Sequence, residues 1–274
     1  MTEGAAGRGR SGEAAAPGGA AELPGTESAL AALGPFFTVD RHSPAHPPSG
    51  TWRELREIIR DPAVLDERVS SVRQFLAAGS GGTAGTVEIR VAASVAHLGM
   101  AARLASPLLA TAFLRRRVPL LTLDDLRWQP LLGGAFPLSL PWDPRTADLA
   151  RAGGPLSTVL VDGVARPLAG AFARFGVSER ILRGNTASAL AGAARMLATA
   201  RGEARLLVGP SPEARLLVEE LLRHPYLRDA GAYAPTGPGS FRRRSCCLIY
   251  RAAPGRDGAL CGDCVLDRPP ARTP

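Results

Sequence analysis

Four cysteines, all within the last 29 residues, are the feature that most constrains this chain of 274 residues. They form two pairs, Cys246-Cys247 and Cys261 with Cys264, and thirteen residues separate Cys247 from Cys261. The preceding 245 residues contain no cysteine. Thiolates concentrated in this way are soft ligands, which favour zinc or an iron–sulfur cluster. We therefore predict that the C-terminal segment folds around a metal centre.

The spacing of the cysteines favours an iron–sulfur cluster over the alternatives. Structural zinc sites usually combine two C-x2-C pairs around one ion, and only Cys261 and Cys264 follow that rule. Adjacent cysteines chelate one ion poorly, whereas a 2Fe-2S cluster has two irons, so that adjacent cysteines can bind at well-separated positions on it. A zinc site stays open as an alternative, and so does a thioredoxin-like dithiol at Cys261 and Cys264. The last 50 residues contain no histidine, which argues against a Rieske centre.

The rest of the chain has the composition of a helical domain. Only 5% of its residues are aromatic while 45% are hydrophobic, so the core must consist mainly of Ala, Leu and Val, of which Ala and Leu are good helix formers. Helical apolar spacing and N-terminal signals predict one helix that begins at Thr51, with Glu54 completing a capping box, and a second that begins at Asp61-Pro62. Two longer helices are predicted over about 86–114 and 179–200, and a last one begins at Ser211-Pro212. Residues 118–155 contain six prolines and predict an ordered irregular segment. The predicted class is mainly α with a small β component.

This pattern divides the chain into three parts. Residues 1–50 are rich in Gly, Ala and Pro and predict a mostly disordered arm, in which the short run Leu30 to Phe37 is a candidate for docking. Residues 51–240 predict a helical domain, and residues 241–274 a short cluster-binding segment that carries the cysteines. No segment has the features of a secretion signal or of a transmembrane span. We therefore expect a cytoplasmic protein, in which structural disulfides are disfavoured.

Charge gives little evidence for a macromolecular partner. The formal charge is +8 and all 33 basic residues are arginine, but a surplus of charge without clustering does not predict nucleic-acid binding. One cluster, Arg242-Arg243-Arg244, precedes the first cysteine pair. It is a candidate docking site for an acidic electron donor or an anionic substrate, and a charged strand edge that prevents aggregation explains it equally well. His97 and His224 are predicted to be structural.

The C-terminal residues also resemble a known family. The run from Arg242 to Arg251, followed by Leu260 to Leu266, resembles the cluster segment of the FhuF-like ferric-siderophore reductases, and the two cysteine pairs are the specific part. Weaker similarity extends the resemblance to about residues 85–266 through Ala101–Pro107, Trp128–Leu138 and Asn185–Leu197. The loop between the two pairs, Ala252–Ala259, is longer here than is common in that family.

The resemblance implies a 2Fe-2S cluster on Cys246, Cys247, Cys261 and Cys264 that transfers one electron to ferric iron in a hydroxamate-type siderophore, releasing ferrous iron in the cytoplasm. Siderophore oxygens are hard donors that hold ferric iron better than ferrous iron, so one electron loosens the complex. The electron is expected to come from a separate donor such as a ferredoxin, because no flavin or nicotinamide fingerprint is present. Two further functions stay open: a zinc-stabilised, non-enzymatic interaction domain, and a ferric-siderophore binding or transport accessory without turnover.

Overall fold

Helices form most of the molecule. The computed structural model describes residues 25–149, 154–198, 200, 212–234, 241–253 and 258–266. The α-helices are α1 (Thr26–Ala32), α2 (Glu57–Arg60), α3 (Pro62–Gly79), α4 (Ile89–Arg115), α5 (Gly154–Ser157), α6 (Arg166–Phe172), α7 (Glu179–Ala198) and α8 (Glu213–Leu222). A π-helical segment, Thr158–Ala165, joins α5 to α6, and single 3-10 turns lie at Ala84–Thr86, Ala173–Phe175 and Ile249–Ala252. The predicted mainly α class is confirmed.

The core is built around the long helices α4 and α7, which make the most extensive contact between any two elements. The face that α7 buries is made largely of alanines, which include Ala187, Ala189, Ala193 and Ala194. Small side chains allow two helix backbones to approach closely, and dispersion contacts along the whole length then hold them together. These two helices provide the platform on which the C-terminal segment lies.

The predicted N-terminus of α3 is confirmed in detail. Asp61 is the N-cap residue, its Oδ1 accepts a hydrogen bond of 2.9 Å from the backbone N–H of Ala63, and Pro62 occupies the first helical position. The capping box predicted at Thr51 and Glu54 is wrong. Strand β2 (Arg53–Glu54) pairs there with strand β4 (Arg127–Trp128), so those backbone groups are used in a sheet and α2 begins only at Glu57.

The strands in the described part of the chain form three small sheets. They are β1 (Asp40–His42), β2, β3 (Arg117–Pro119), β4 (Arg127–Trp128), β5 (Leu138–Pro141), β6 (Thr146–Asp148), β7 (Gly231–Tyr233) and β8 (Phe241–Arg243). One sheet has the order β1-β5-β4-β2, and β3-β6 and β7-β8 are two-stranded. The proline-rich segment 118–155 thus contains all or part of four of these eight strands, β3 to β6. Its Trp128 is fully buried against Phe136, which makes this segment part of the core.

The predicted disordered arm is wrong for residues 25–50. This stretch contains α1 and β1, and it buries Leu30 and Phe37 in the main core. Arg103, which is itself buried, donates hydrogen bonds to the carbonyl oxygens of Phe36 and Thr38. A few apolar side chains on one short helix are enough to anchor a segment that is otherwise rich in Gly and Pro, and average composition does not register them. Residues 1–24 lie outside the described residues.

One helical stretch in the described part of the chain, Gly154–Phe175, is long and apolar enough by length and composition to cross a membrane. Its most apolar window has a mean hydropathy of 1.2, and half of that window is buried inside the protein. Its buried residues, among them Leu160, Val161 and Phe172, belong to the main core. The sequence predicts no such span, and the helix found here is a marginal candidate.

Candidate metal centre

The first cysteine pair is held at the end of strand β8, against the two central helices. Ser245, directly before the pair, donates a hydrogen bond of 3.0 Å from its hydroxyl to the carbonyl oxygen of Arg180 in α7. Ser94 of α4 donates a hydrogen bond of 2.8 Å to the carbonyl oxygen of Cys247. Asn185 of α7 in turn donates to the carbonyl oxygen of Ser94 at 2.9 Å. Both central helices therefore fix the backbone of the first pair.

The second pair lies in a turn beside the same strand. The N–H of Cys264 donates to the carbonyl oxygen of Cys261 at 3.1 Å, which closes the turn. The N–H of Arg243 donates to the carbonyl oxygen of Asp263 at 3.1 Å, and the hydroxyl of Ser188 in α7 donates to the Asp263 carboxylate. The turn is thus attached to β8 through its backbone and to α7 through its acidic side chain.

These attachments bring the two pairs together. All four cysteines are free thiols, and Sγ of Cys247 lies 3.6 Å from Sγ of Cys261. Cys247 and Cys264 are buried, whereas Cys246 and Cys261 are partly exposed. One thiol of each pair thus lies in contact across the loop between the pairs, of which residues 254–257 lie outside the described residues. Within the described ranges, no three His, Cys, Asp or Glu side chains are arranged as a ready-made site for a single metal ion.

The crowding of the thiols makes their ionisation unequal. Hydrogen bonds from Cys246 and Cys261 lower the pKa of Cys247 below the usual range for a thiol, and the positive charge of Arg243 contributes in the same direction. The hydrogen bond with Cys247, and then burial, raises the pKa of both Cys246 and Cys261 above the usual range for a thiol. Without metal the site thus favours one thiolate beside neutral thiols. Four thiolates held together need a compensating positive charge, which a bound metal cation supplies.

Backbone donors to sulfur are already present. The N–H of Leu248 lies 3.3 Å from Sγ of Cys246, and the N–H of Leu266 lies 3.4 Å from Sγ of Cys264. Each donor follows its cysteine by two residues. Leu248 reaches this position with a φ of 70°, in the left-handed region that a non-glycine residue adopts only at a cost of roughly 1–2 kcal/mol. N–H groups that donate to sulfur stabilise the negative charge of iron–sulfur clusters.

A buried cation lies next to the thiols. The side chain of Arg243 is almost fully buried, and its Nη2 donates to Asn185 Oδ1. Within the described part of the chain its Nε and Nη1 have no hydrogen-bond partner. An uncompensated buried guanidinium is costly, and a cluster of thiolates is the compensation that this location offers. The structure thus leaves Arg242 and Arg244, which are exposed, as the members of the predicted docking cluster that a partner can reach.

The structural role predicted for both histidines stays a prediction, and within the described residues neither ring nitrogen of His97 has a hydrogen-bond partner. His97 is fully buried, its ring packs edge-on against Phe172 at 5.3 Å, and burial followed by the charge of Arg243 lowers its pKa to about 3. It is therefore neutral at ordinary pH. His224 accepts a hydrogen bond on Nδ1 from the backbone N–H of Tyr226 at a helix end.

Close contact between α7 and the cysteine segment depends on Gly184. A Cβ added there would lie 2.1 Å from Oγ of Ser245 and 3.2 Å from Nη2 of Arg243. We expect Gly184→Ala to lower the free energy of unfolding by about 1–3 kcal/mol, as overpacking does, and to reduce the iron bound per chain. Thermal unfolding and iron analysis measure both quantities.

Gly170 provides the matched control for that substitution. It lies in α6, is exposed, and an added Cβ meets no atom within 4 Å. Gly170→Ala is expected to stabilise the protein by up to about 1 kcal/mol through helix propensity alone. Equal effects of the two substitutions would contradict the role assigned to Gly184.

Three residues of the site are absent from the sequence predictions: Ser94, Asn185 and Ser188. Each is a polar residue on an otherwise small or apolar helix face, and the first two are fully buried. Buried polar groups are nearly always hydrogen-bonded, so polar residues at core positions of predicted helices were an available signal. That signal does not reveal the hydrogen-bond acceptors, which are the carbonyl oxygen of Cys247 for Ser94 and the carboxylate of Asp263 for Ser188.

Taken together, the fold and the site define a mainly helical protein with a C-terminal thiolate centre that fits an iron–sulfur cluster. The donor set is four free thiols, with N–H donors to sulfur and a buried cation beside them. Residues 243–266, which include all four cysteines, match the family model of the FhuF 2Fe-2S C-terminal domain. A search of the curated proteins gives no match. The match supports an FhuF-like family for this segment, and the cofactor that it indicates is a 2Fe-2S cluster.

Proposed function

We propose that this protein reduces ferric iron in hydroxamate-type siderophores by one-electron transfer, and that it does so in the cytoplasm. The observation that carries the proposal is the contact between the two pairs of free cysteines, Cys247 Sγ to Cys261 Sγ at 3.6 Å, within the segment that matches a 2Fe-2S domain of the FhuF family. Cys246, Cys247, Cys261 and Cys264 are the proposed ligands. When bound, the cluster supplies one electron at a time.

The residues around the ligands have separate roles in this proposal. Leu248 and Leu266 stabilise thiolate charge through their N–H groups, and Arg243 balances the negative charge from the interior. The electron converts ferric to ferrous iron, which hard oxygen donors hold weakly, and no bond within the siderophore is broken. The electron is replaced by a separate donor such as a ferredoxin, for which exposed Arg242 and Arg244 are the proposed docking residues.

The test is a stoichiometric reoxidation. The holoprotein is reduced with dithionite under argon, freed of excess reductant, and mixed with the ferric complex of desferrioxamine E, a neutral cyclic trihydroxamate. We expect the oxidised visible spectrum to return, with one ferrous ion released per cluster and captured by a ferrous-specific chelator. The gallium(III) complex of the same siderophore is the control, because gallium(III) accepts no electron under these conditions.

The outcomes separate the proposed function from its alternatives. Binding of the ferric complex without reoxidation of the cluster would indicate a binding or transport accessory. A colourless purified protein that contains zinc would indicate the interaction domain, because zinc thiolates do not absorb visible light. Either result contradicts the reductase proposal.

A further inference from the structure

Two adjoining cavities follow one face of helix α7. Both are lined by Ser188, Gly192 and Arg195, which are spaced by four and three residues and so share one helix face. The first cavity, of about 300 Å³, lies between this face and the turn that carries the second cysteine pair. The second, of about 320 Å³, continues between α7 and α4. We call the two cavities together the α7 groove; each has the size of a small-molecule site.

The two ends of the α7 groove differ in chemistry. The end at the cysteine turn is lined by three charged residues, Arg195, Arg242 and Asp263, beside Phe241. Arg242 Nε donates a hydrogen bond of 3.3 Å to the carbonyl oxygen of Cys264 in the turn. The far end is lined mainly by apolar side chains, which include Leu33, Phe36, Leu98 and Met196. A ligand that fits both ends has oxygen acceptors at one side and a hydrocarbon body at the other.

The polar end also lies directly against the proposed cluster ligands. Gly262 and Asp263, which line it, are the two residues between Cys261 and Cys264. An electron acceptor seated there is separated from the thiolates by little more than this turn of backbone. The Asp263 carboxylate accepts a hydrogen bond from Ser188, which fixes the turn as one wall of the groove.

We infer that the α7 groove is the binding site of the ferric hydroxamate chelate, a placement that rests on the proposed function. Guanidinium N–H groups complement the negatively polarised hydroxamate oxygens around the iron, and the hydrocarbon links of the siderophore contact the apolar end. In the reaction one electron leaves the reduced cluster, ferric iron becomes ferrous iron, and the chelate is released intact. The groove thus selects amphipathic hydroxamate chelates over small hydrophilic ferric complexes.

Gly192 allows a sharp test, because it lies where the two cavities meet and an added Cβ there encounters no atom within 4 Å. Gly192→Leu fills the groove without changing a proposed cluster ligand, and leucine is a better helix former than glycine. Gly170→Leu is the matched control, since Gly170 is also helical, has no atom within 4 Å of its added Cβ, and does not line the groove.

The probe is the gallium(III) complex of desferrioxamine E, titrated calorimetrically into the oxidised holoprotein. We expect wild type and Gly170→Leu to bind it equally, and Gly192→Leu to bind it at least about tenfold more weakly, a loss that a few displaced contacts produce. The visible spectrum of the cluster should be the same in all three proteins. Gly262→Leu, which enters the groove from the opposite wall into open space, gives the same test should Gly192→Leu fail to fold.

The design distinguishes failure of the groove from failure of the reductase proposal. Unchanged affinity for the gallium complex in Gly192→Leu and Gly262→Leu contradicts the groove as the chelate site and leaves the reductase proposal in place. The same conclusion follows if wild type reduces the ferric complex but does not bind the gallium complex. Loss of gallium binding in the variants, with no reoxidation by the ferric complex in wild type, supports the groove as a binding site and removes the reductase. If Gly192→Leu keeps its affinity for the chelate but its cluster is reduced more slowly by the electron donor, the groove is the binding site of the donor, and the inference that it binds the chelate is wrong.

Discussion

Replacing Cys264 by serine is expected to abolish the visible spectrum of the 2Fe-2S cluster or to change it strongly. Cys264 is buried, and its sulfur accepts a hydrogen bond from the N–H of Leu266. A serine oxygen is a harder and less readily ionised ligand than a thiolate, so it binds iron poorly at this position. Absorbance, EPR of the reduced protein and iron analysis measure the effect, with about two irons per chain expected in wild type.

The control for this substitution is the neighbouring residue. Val265 is substantially exposed and follows Cys264 directly, so Val265→Ala should retain the spectrum and the iron. Cys246→Ser should repeat the result of Cys264→Ser from the other pair. Retention of the full visible spectrum and of both irons in either serine variant would contradict the assignment of these cysteines as ligands.

The second large effect is expected at Arg243, whose charge lies in the interior beside Cys247. A cluster on four thiolates has a net negative charge, and reduction adds one more. Because the nearby cation stabilises the reduced form more than the oxidised form, Arg243→Gln should lower the midpoint potential. At an effective dielectric constant of about 20, a charge within about 10 Å contributes about 1–2 kcal/mol, which is on the order of several tens of millivolts.

Two variants isolate charge from structure at this position. Arg243→Lys keeps the charge and should keep the potential near that of wild type, although its hydrogen bond to Asn185 changes. Arg244→Gln removes the next arginine along the chain, which is exposed and paired with Asp229, and solvent screening should leave the potential nearly unchanged. Potentiometric titration followed by EPR gives the three values. Equal shifts for Arg243→Gln and Arg244→Gln would show that the buried charge does not set the potential.

Arg243 also shows why part of the site could not be predicted from the sequence. The run Arg242 to Arg244 has the appearance of a uniform basic patch. In the structure its first two members belong to strand β8, along which side chains alternate between the two faces. Phe241 and Arg243 are therefore buried, and Arg242 and Arg244 are exposed. The alternation was readable once the strand was known, but the interior position of a charged side chain was not.

The N-terminal region gives the opposite case, in which composition was misleading. Its richness in Gly and Pro predicts disorder up to residue 50, yet Leu30 and Phe37 are buried in the core. Arg103 hydrogen-bonds the carbonyl oxygens of Phe36 and Thr38. The groove described above includes Phe36, so this segment also belongs to the proposed binding surface. Amino-acid composition describes the average of a segment, whereas the attachment of that segment to the core depends on a few apolar side chains that fit a complementary surface.

The sequence by itself predicted a thiolate centre and the mainly helical class. Thiolate ligands are set by residue identity and short spacing, and the helices by apolar periodicity, which are both local properties of a chain. Only the tertiary structure decided which side chains surround the thiols. Ser94 reaches the carbonyl oxygen of Cys247 across 153 residues, and Arg243 reaches Asn185 across 58. Such neighbours are fixed by the packing of α4 against α7, because a contact between distant residues depends on the whole core and leaves no signature in either segment alone.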